Sequence, residues 1–330
     1  MPEAETELKS KLASYKELFD HIRAEMGKIV IGQAEIIDSL IEAVISRGHV
    51  LVEGVPGIGK TLIIRTLAKI SGCMFSRIQF TPDLLPTDIL GITTYEEGKG
   101  FYTIKGPIFA NFVLADEINR SPPKVQSALL EAMQERQVTI GKETFILPEP
   151  FFVMATQNPI EQLGTYKLPE AQIDRFLYKL TLGYPLFEEE RQILRTNMTT
   201  RDFSSFNLQA VMQPQTILQV QKDVHLVRSE SKVENYIVRI VEATRFPKKY
   251  GVELGKFIQY GASPRSSISL YTASKAHALM NGKEFVTPGD VKSVAFRVLR
   301  HRIILNFEGE AEEIKPDDVI TEILQKVPLL

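Results

Sequence analysis

The segment Gly54–Thr61 constrains this chain more than any other, because it reads GVPGIGKT and matches the pattern G-x-x-x-x-G-K-T. It follows a short apolar run, His49–Glu53, which predicts a buried strand, and it precedes a predicted helix over about 60–71. In that setting glycines let backbone N–H groups turn inward around phosphates, and the helix N-terminus adds partial positive charge. We therefore predict a nucleotide phosphate-binding loop, in which Lys60 reaches the β- and γ-phosphates and the Thr61 hydroxyl ligates Mg²⁺. The alternative is a structural glycine turn.

Strand and helix signals alternate on both sides of this loop. Apolar residues recur every three or four positions over about 3–27 and 34–47, which predicts two amphipathic helices. Another helix is predicted from Ser121 to about Gln137, with Ser121 as its N-cap and prolines in its first turn. This alternation predicts a parallel α/β sheet with helices on both faces. The other predicted strands are Phe75–Phe80, Phe112–Asp116 and Phe151–Ala155.

The secondary-structure signals change near Pro185, where we place a domain boundary. Before it, residues 91–107 are β-like and punctuated by glycine, which is typical of an insert, and residues 138–147 predict a hairpin. After it the strand signals stop and helical periods follow. We predict an α/β domain over 1–185 and a helical domain over 186–330, whose tail 303–330 is uninformative. The helices of the second domain are predicted at about 186–198, 214–228, 231–245, 264–281 and 287–302.

Composition limits the class of protein. The 330 residues are 44% hydrophobic, which is enough to build a core and excludes a disordered chain. The sequence has no apolar stretch of about 18 residues and no secretory signal pattern at its N-terminus, so we expect a cytoplasmic protein without a membrane span. Its one cysteine, Cys73, excludes an intrachain disulfide. The net charge of −2 disfavours a dedicated nucleic-acid binder, although a local basic patch would suffice for one.

Two carboxylates and an amide follow the later strands. Asp116 and Glu117 come directly after the apolar run 112–115. At the carboxyl end of a strand beside a phosphate loop, Asp116 can hold a metal ion and Glu117 can polarise an attacking water, which favours hydrolysis over nucleotide binding alone. Asn158 ends the next strand and can orient that water. The alternatives are solvated acids at a strand end and a simple Asn-Pro turn.

These motifs together resemble a known family. A phosphate loop, an aliphatic strand ending in Asp-Glu and a strand ending in Asn are similar to the Walker A, Walker B and sensor 1 motifs of AAA+ ATPases. The resemblance extends over about residues 20–300 and implies an α/β core of the P-loop NTPase type, a parallel sheet sandwiched by helices, with a smaller all-α lid. It also implies that 91–107 is a helix-2 insert and that 138–147 is the insert before sensor 1. The segments that resemble the MoxR group of this family are Asp116–Lys124, Leu129–Val138, Ala155–Pro159 and Leu168–Phe176.

The resemblance assigns roles to two further arginines. Arg175 matches the arginine finger, which reaches the nucleotide of a neighbouring subunit, and its alternative is an intrachain salt bridge. Arg265 matches sensor 2 at the start of a lid helix, and its alternative is a solvated first-turn arginine. The segment Val30–Gln33 matches residues that pack around adenine, although core packing accounts for its two aliphatic side chains equally well. The full set of expected catalytic residues is Lys60, Glu117, Asn158, Arg175 and Arg265. The expected nucleotide-binding residues are Val30, Ile31, Gly32, Gln33, Gly54, Val55, Pro56, Gly57, Ile58, Gly59, Lys60, Thr61 and Leu62, and the expected metal ligands are Thr61 and Asp116.

The function implied by this resemblance is Mg²⁺-dependent ATP hydrolysis in a homo-oligomeric ring, expected to be a hexamer, that remodels a client protein. The implied clients include proteins with a von Willebrand factor A domain, and the implied tasks include metal-cofactor insertion and the maturation of complexes. The alternatives are a nucleic-acid motor or loader of the same clade, a nucleotide-gated binding module and a small-molecule kinase. One cluster stands outside this assignment: Arg297, Arg300, His301 and Arg302 are expected to form a solvated face or to interact with a helix dipole, and a phosphate or acidic-partner site is the alternative.

Overall fold

The structure is a computed structural model that describes residues 2–159, 165–196 and 203–329. Its contacts divide the chain into two compact units. The core unit comprises Asp20–Phe176 and Leu180–Gln219, and the lid unit comprises Met1–Phe19, Leu177–Lys179 and Val220–Leu330. Residues 186–219 therefore group with the core unit, whereas the sequence boundary assigned them to the lid. The boundary at Pro185 stays a prediction about the functional domains.

Eleven strands and thirteen α-helices are present in the described residues. The strands are β1 (Val50–Gly54), β2 (Phe75–Gln79), β3 (Gly91–Glu96), β4 (Gly100–Lys105), β5 (Phe112–Asp116), β6 (Gln137–Ile140), β7 (Glu143–Ile146), β8 (Phe152–Gln157), β9 (Tyr178–Leu182), β10 (Ile258–Tyr260) and β11 (Ile304–Leu305). The helices are α1 (Pro2–Gly27), α2 (Ala34–Ile45), α3 (Lys60–Ile70), α4 (Pro86–Leu90), α5 (Pro123–Glu135), α6 (Glu170–Ile173), α7 (Phe187–Thr196), α8 (Pro214–Asp223), α9 (Ser231–Arg245), α10 (Pro264–Met280), α11 (Pro288–Leu299), α12 (Phe307–Ala311) and α13 (Pro316–Lys326).

The central sheet has five strands in the order β2-β5-β8-β1-β9. The pairs β2–β5, β5–β8 and β1–β8 are all parallel. Every residue of β5 is buried, and so are the first five residues of β8, which explains why both strands read as unbroken apolar runs. Val113 and Val153 pack in one core cluster with Leu129 of α5, so the predicted parallel α/β core is confirmed.

Two antiparallel hairpins project from this core fold. The hairpin β3–β4 occupies the predicted insert over 91–107, and β6–β7 occupies the hairpin predicted over 138–147. The N-cap of α5 is Pro122 instead of Ser121, whose hydroxyl donates to the Ile118 carbonyl within the preceding turn. That local bond withdraws the side chain from the helix end, and this is why the N-cap prediction was wrong.

The lid unit contains helices, the first residues of β9 and the short antiparallel pair β10–β11, which was not predicted from the sequence. The tail that the sequence left uninformative contains α12 and α13, and α13 contributes the buried residues Val319, Ile320 and Ile323. Helix α7 ends at Thr196, and residues 197–198 of the helix predicted over 186–198 lie outside the described residues. None of the helices in the described ranges is long and apolar enough to cross a membrane.

The basic cluster at the end of α11 is not solvated, so the expectation of a solvated face was wrong. Arg297, His301 and Arg302 are each only 6% exposed. Helix α11 ends at Leu299, and residues 300–302 form a turn that carries the last two side chains inward, away from the helix surface assumed from the sequence. Arg300 is partly buried and pairs with Asp317, with an Nη2–Oδ2 distance of 2.9 Å.

Candidate functional site

The phosphate loop joins the end of β1 to the start of α3. Gly57 and Gly59 both have φ of +84°, and a Cβ built on either would meet no atom within 4 Å. The backbone conformation, rather than lack of space, therefore requires glycine at these two positions. Gly54 is different, because a Cβ there would lie 2.9 Å from the Leu182 Cβ. The Lys60 Nζ donates to the Gly54 carbonyl at 2.7 Å, so the lysine folds back along the loop.

The ammonium group of Lys60 lies in the electric field of the two carboxylates predicted to act with it. Burial lowers the pKa of Lys60, and the negative charges of Asp116 and Glu117 oppose that effect. The charge of Lys60 is therefore coupled to the charges of Asp116 and Glu117.

Thr156 connects the two carboxylates, and it is a site residue that the sequence reasoning missed. Its buried hydroxyl donates to Asp116 Oδ1 at 2.6 Å and accepts the Glu117 backbone N–H at 2.9 Å. On the other side of the carboxylate, Arg77 donates to Asp116 Oδ2 from Nη2 at 2.7 Å and from Nε at 3.1 Å. Asp116 is only 9% exposed, and these bonds offset the cost of burying its charge.

Glu117 has a constrained backbone and an oriented carboxylate. Its φ is +57°, in the left-handed region that residues other than glycine rarely adopt. Its Oε2 accepts hydrogen bonds from Gln79 Nε2 at 2.8 Å and from Arg120 Nη1 at 2.9 Å. Gln79 and Arg120 were also missed. The position of Gln79 could have indicated it, because Gln79 is next to the last residue of the predicted strand Phe75–Phe80. The carboxyl ends of parallel strands meet at one edge of a sheet.

The strand register brings the predicted polar residues to that edge. Thr156 pairs with Val52 of β1, and Asp116 pairs with Gln79 of β2. Asn158 follows directly after β8, between β5 and β1 in the sheet, and is 4% exposed. The phosphate loop, Asn158 and the two carboxylates therefore follow three adjacent parallel strands.

A cavity of about 510 Å³ lies against the loop in the core unit. Val30, Ile31 and Gln33 line it, as do loop residues from Pro56 to Gly59 and Leu62, so the structure brings together the two segments predicted to bind nucleotide. Val30 and Ile31 are both under 10% exposed, and they therefore serve the core and the cavity wall together. The lining residues that the sequence did not indicate are Ile29, Ile63, Tyr184, Pro185, Glu190 and Ile193.

Gly32 lines a smaller neighbouring cavity of about 180 Å³. Its φ is +74°, and a Cβ there would lie 2.2 Å from Cδ of Glu189, so the carboxylate of α7 closes onto a position that only glycine leaves open. The wall of the larger cavity is largely apolar, which suits a flat base better than a charged group.

The two predicted arginines belong to different units. Arg175 is exposed in the turn that follows α6, on the core unit. Arg265 is the second residue of α10, also exposed, and belongs to the lid unit. Their roles stay predictions.

The residues expected to hold Mg²⁺ have suitable donor chemistry. Thr61 offers a hydroxyl in the first turn of α3, and Asp116 offers a carboxylate at the end of β5. Oxygen donors of this kind, used one or two at a time with substrate phosphates, are typical of protein-bound Mg²⁺. Thr156 already holds the Asp116 side chain in orientation, and the hydroxyl and the carboxylate are both donors of the kind that this ion prefers.

The chain is similar to known proteins over most of its length. The family model described as "ATPase family associated with various cellular activities (AAA)" matches residues 49–178, and an "AAA lid domain" model matches residues 255–323. Chaperone MoxR1 of Mycobacterium tuberculosis is 47% identical over 308 residues, which cover 92% of this chain and 80% of that protein. Protein MoxR of Methylorubrum extorquens is 29% identical over 333 residues that cover 96% of each chain. A crystal structure from Cytophaga hutchinsonii is similar with a TM-score of 0.91 and 46% identity, and 98% of each chain is covered.

Proposed function

Because the chain belongs to the MoxR-type AAA+ ATPases, we propose that it couples Mg²⁺-dependent ATP hydrolysis to the remodelling of a partner protein. ATPase activity follows from the family, and the residues that perform it are our assignment. One observation carries that assignment: the phosphate loop, Asn158 and the pair Asp116-Glu117 follow the adjacent parallel strands β1, β8 and β5.

The loop and its flanks bind the nucleotide in this proposal. Val30, Ile31, Gln33 and Leu62 line the cavity for the adenine ring. Lys60 binds the β- and γ-phosphates with the backbone N–H groups of the loop. Thr61 and Asp116 hold Mg²⁺. The ion would supply positive charge that offsets the negative charge developing on the phosphate oxygens.

Glu117 is proposed as the base that polarises the attacking water, and Asn158 orients the same water. Gln79 and Arg120 both donate to Oε2 of Glu117, so the carboxylate is held in orientation while Oε1 can accept the hydrogen of the water. Because the carboxylate is positioned in advance, little reorganisation is needed during the reaction.

The exposed position of Arg175 supports a role outside its own subunit. A guanidinium is planar and always charged, which suits the charge that develops on a transferring phosphoryl group. We propose that Arg175 serves the site of a neighbouring subunit in a ring, expected to be hexameric. Arg265, in the first turn of α10, would contact the γ-phosphate of its own subunit and couple the lid to the nucleotide state.

The catalytic assignment is tested by steady-state ATP turnover measured over a range of protein concentrations. Glu117→Gln should bind ATP normally and lose at least about a hundredfold in turnover, as removal of a general base does. Glu135→Gln, the same change at an exposed position of α5, is the matched control and should turn over like the wild type. Turnover that survives Glu117→Gln would refute the assignment, and turnover independent of concentration down to the monomer would refute a trans arginine.

The client assignment needs a separate experiment. With ATP, Glu117→Gln should retain a bound von Willebrand factor A domain protein that the wild type releases, as measured by co-purification of the two purified chains. If the variant and the wild type retained the same amount of this protein with ATP, this class of client would be excluded. Stimulation of turnover by DNA, with a steep dependence on salt, would instead favour the nucleic-acid motor.

A further inference from the structure

Two arginines at the end of α11 are buried in the lid unit, although each carries a full charge. Arg297 and Arg302 are 6% exposed. Burying a guanidinium is strongly unfavourable unless its donors are satisfied, so the partners of the two arginines indicate what the burial achieves. Both side chains reach the same short segment of the chain, Leu177-Tyr178.

Arg302 ties this segment to two helices. Its Nη1 donates to the Leu177 carbonyl at 3.3 Å and also to the Val298 carbonyl in the last turn of α11. Its Nη2 donates to the Ser269 hydroxyl on α10 at 3.3 Å. One planar fork therefore holds a backbone carbonyl of the segment against the lid helices, which a lysine with its single ammonium group cannot reproduce.

Arg297 holds the next residue of the segment. Its guanidinium carbon lies 5.1 Å from the centre of the Tyr178 ring, and its Nη2 donates to the Ser293 carbonyl at 3.2 Å. Tyr178 is fully buried. The attraction between a guanidinium and the face of an aromatic ring is strongest when both are desolvated, so Arg297 also holds Tyr178 against α11.

The held segment begins two residues after Arg175. Phe176, the residue between them, is fully buried in the hydrophobic cluster of the core unit, while Leu177–Lys179 group with the lid unit. Two peptide units span at most about 7 Å, so a displacement of the Leu177 carbonyl must be absorbed by the backbone torsions around Phe176. Those torsions set the direction of Arg175.

We propose that Arg297 and Arg302 are positioning residues that set the orientation in which Arg175 is presented to the neighbouring subunit. The state of the lid in one subunit would thereby control hydrolysis in the next one. This inference rests on the proposed role of Arg175 as an arginine that acts in trans.

The experiment uses mixtures of full-length variants that are each defective in a different way. Arg302→Met keeps an unbranched side chain about as long as the aliphatic part of the arginine and removes the guanidinium. Arg297→Lys is a milder variant that keeps the cation, for use if the first variant fails to fold. Each should bind ATP within about twofold of the wild type and turn it over at least about tenfold more slowly. Arg300→Met removes a guanidinium from the same turn, where the partner is Asp317, and should retain wild-type turnover per folded protein.

The decisive readout is recovery of turnover when Arg302→Met is mixed with Lys60→Ala. The Lys60→Ala subunit cannot use ATP, but it offers an intact Arg175 to its neighbour. At equal amounts, about one quarter of the interfaces in a head-to-tail ring combine a working loop with a working arginine, so turnover should rise to about a quarter of the wild-type value. Turnover equal to the sum of the separate variants would show that Arg302 acts within its own subunit, and would overturn the inference.

A parallel mixture of Arg175→Ala with Lys60→Ala separates this result from a failure of the proposed function. If turnover recovers in this mixture but not in the mixture with Arg302→Met, only the positioning role is refuted. No recovery in this reference mixture refutes the trans role of Arg175, and the inference that depends on it falls with it.

Discussion

The hydroxyl of Thr156 links the two carboxylates of the site, so its removal tests how far their arrangement depends on one buried bridge. It bonds to Asp116 Oδ1 at 2.6 Å and to the Glu117 N–H at 2.9 Å, and the side chain is fully buried. Thr156→Val keeps the shape of the side chain and removes both hydrogen bonds, so no cavity confuses the result.

The magnitude follows from these two bonds. A hydrogen bond to a charged group contributes about 1.5–3 kcal/mol, and a buried N–H left without a partner costs about 1–3 kcal/mol. Because the two effects share one hydroxyl and are not fully additive, we expect the free energy of unfolding to fall by about 3 kcal/mol. With Asp116 and Glu117 no longer held together, turnover should also fall about tenfold, which corresponds to about 1.4 kcal/mol in the barrier.

Urea unfolding followed by circular dichroism measures the first effect, and steady-state ATP hydrolysis measures the second. Thr66→Val is the matched control, since Thr66 is also fully buried but its Oγ1 has no hydrogen-bond partner in the described part of the chain. That change should leave stability within about 0.5 kcal/mol of the wild type, or raise it. If Thr156→Val lost no more stability than Thr66→Val, the reasoning about the bridge would be refuted.

Three further predictions concern the backbone, pH and a helix cap. Gly57→Ala and Gly98→Ala both place a Cβ in open space at positive φ and should each cost about 1 kcal/mol in urea unfolding, but only Gly57→Ala should weaken ATP binding in a fluorescent-nucleotide titration. Burial lowers the pKa of His49 from 6.5 to about 4, so the unfolded chain binds a proton at a higher pH than the folded chain does. Up to about 3 kcal/mol of the free energy of unfolding should therefore be lost as the pH falls from 6.5 to 4. His49→Asn should lack this dependence of stability on pH. Asp290→Ala should lower the free energy of unfolding by about 3 kcal/mol in thermal or urea unfolding, because the Asp290 carboxylate is buried and ion-paired. Asp318 has the same cap position in α13 but is exposed, so Asp318→Ala should lower it by only about 1 kcal/mol.

Features that depend on neighbouring residues could be predicted from the sequence. A pattern of about ten residues was enough to predict each of three elements. Glycine spacing predicted the phosphate loop, an apolar run predicted the strand that ends at Asp116, and alternation predicted the hairpin over 138–147. The parallel core followed from the alternation of these elements, because parallel strands need helical connections.

Features that depend on residues far apart in the chain could not be predicted in this way. Thr156 lies 40 positions after Asp116, and only the parallel register of β5 and β8 brings its hydroxyl to the carboxylate. The burial of Arg302 depends on Leu177, which is 125 positions away.

The sequence by itself therefore determined which chemical groups this protein carries and that strands deliver them to one edge of a sheet. The tertiary structure decided which neighbours hold them: Gln79 and Arg120 on Glu117, Thr156 on Asp116, and a buried fork on the segment after Arg175. The physical reason is that local propensity acts over a few residues, whereas desolvation and hydrogen-bond satisfaction are settled only when the whole chain has packed.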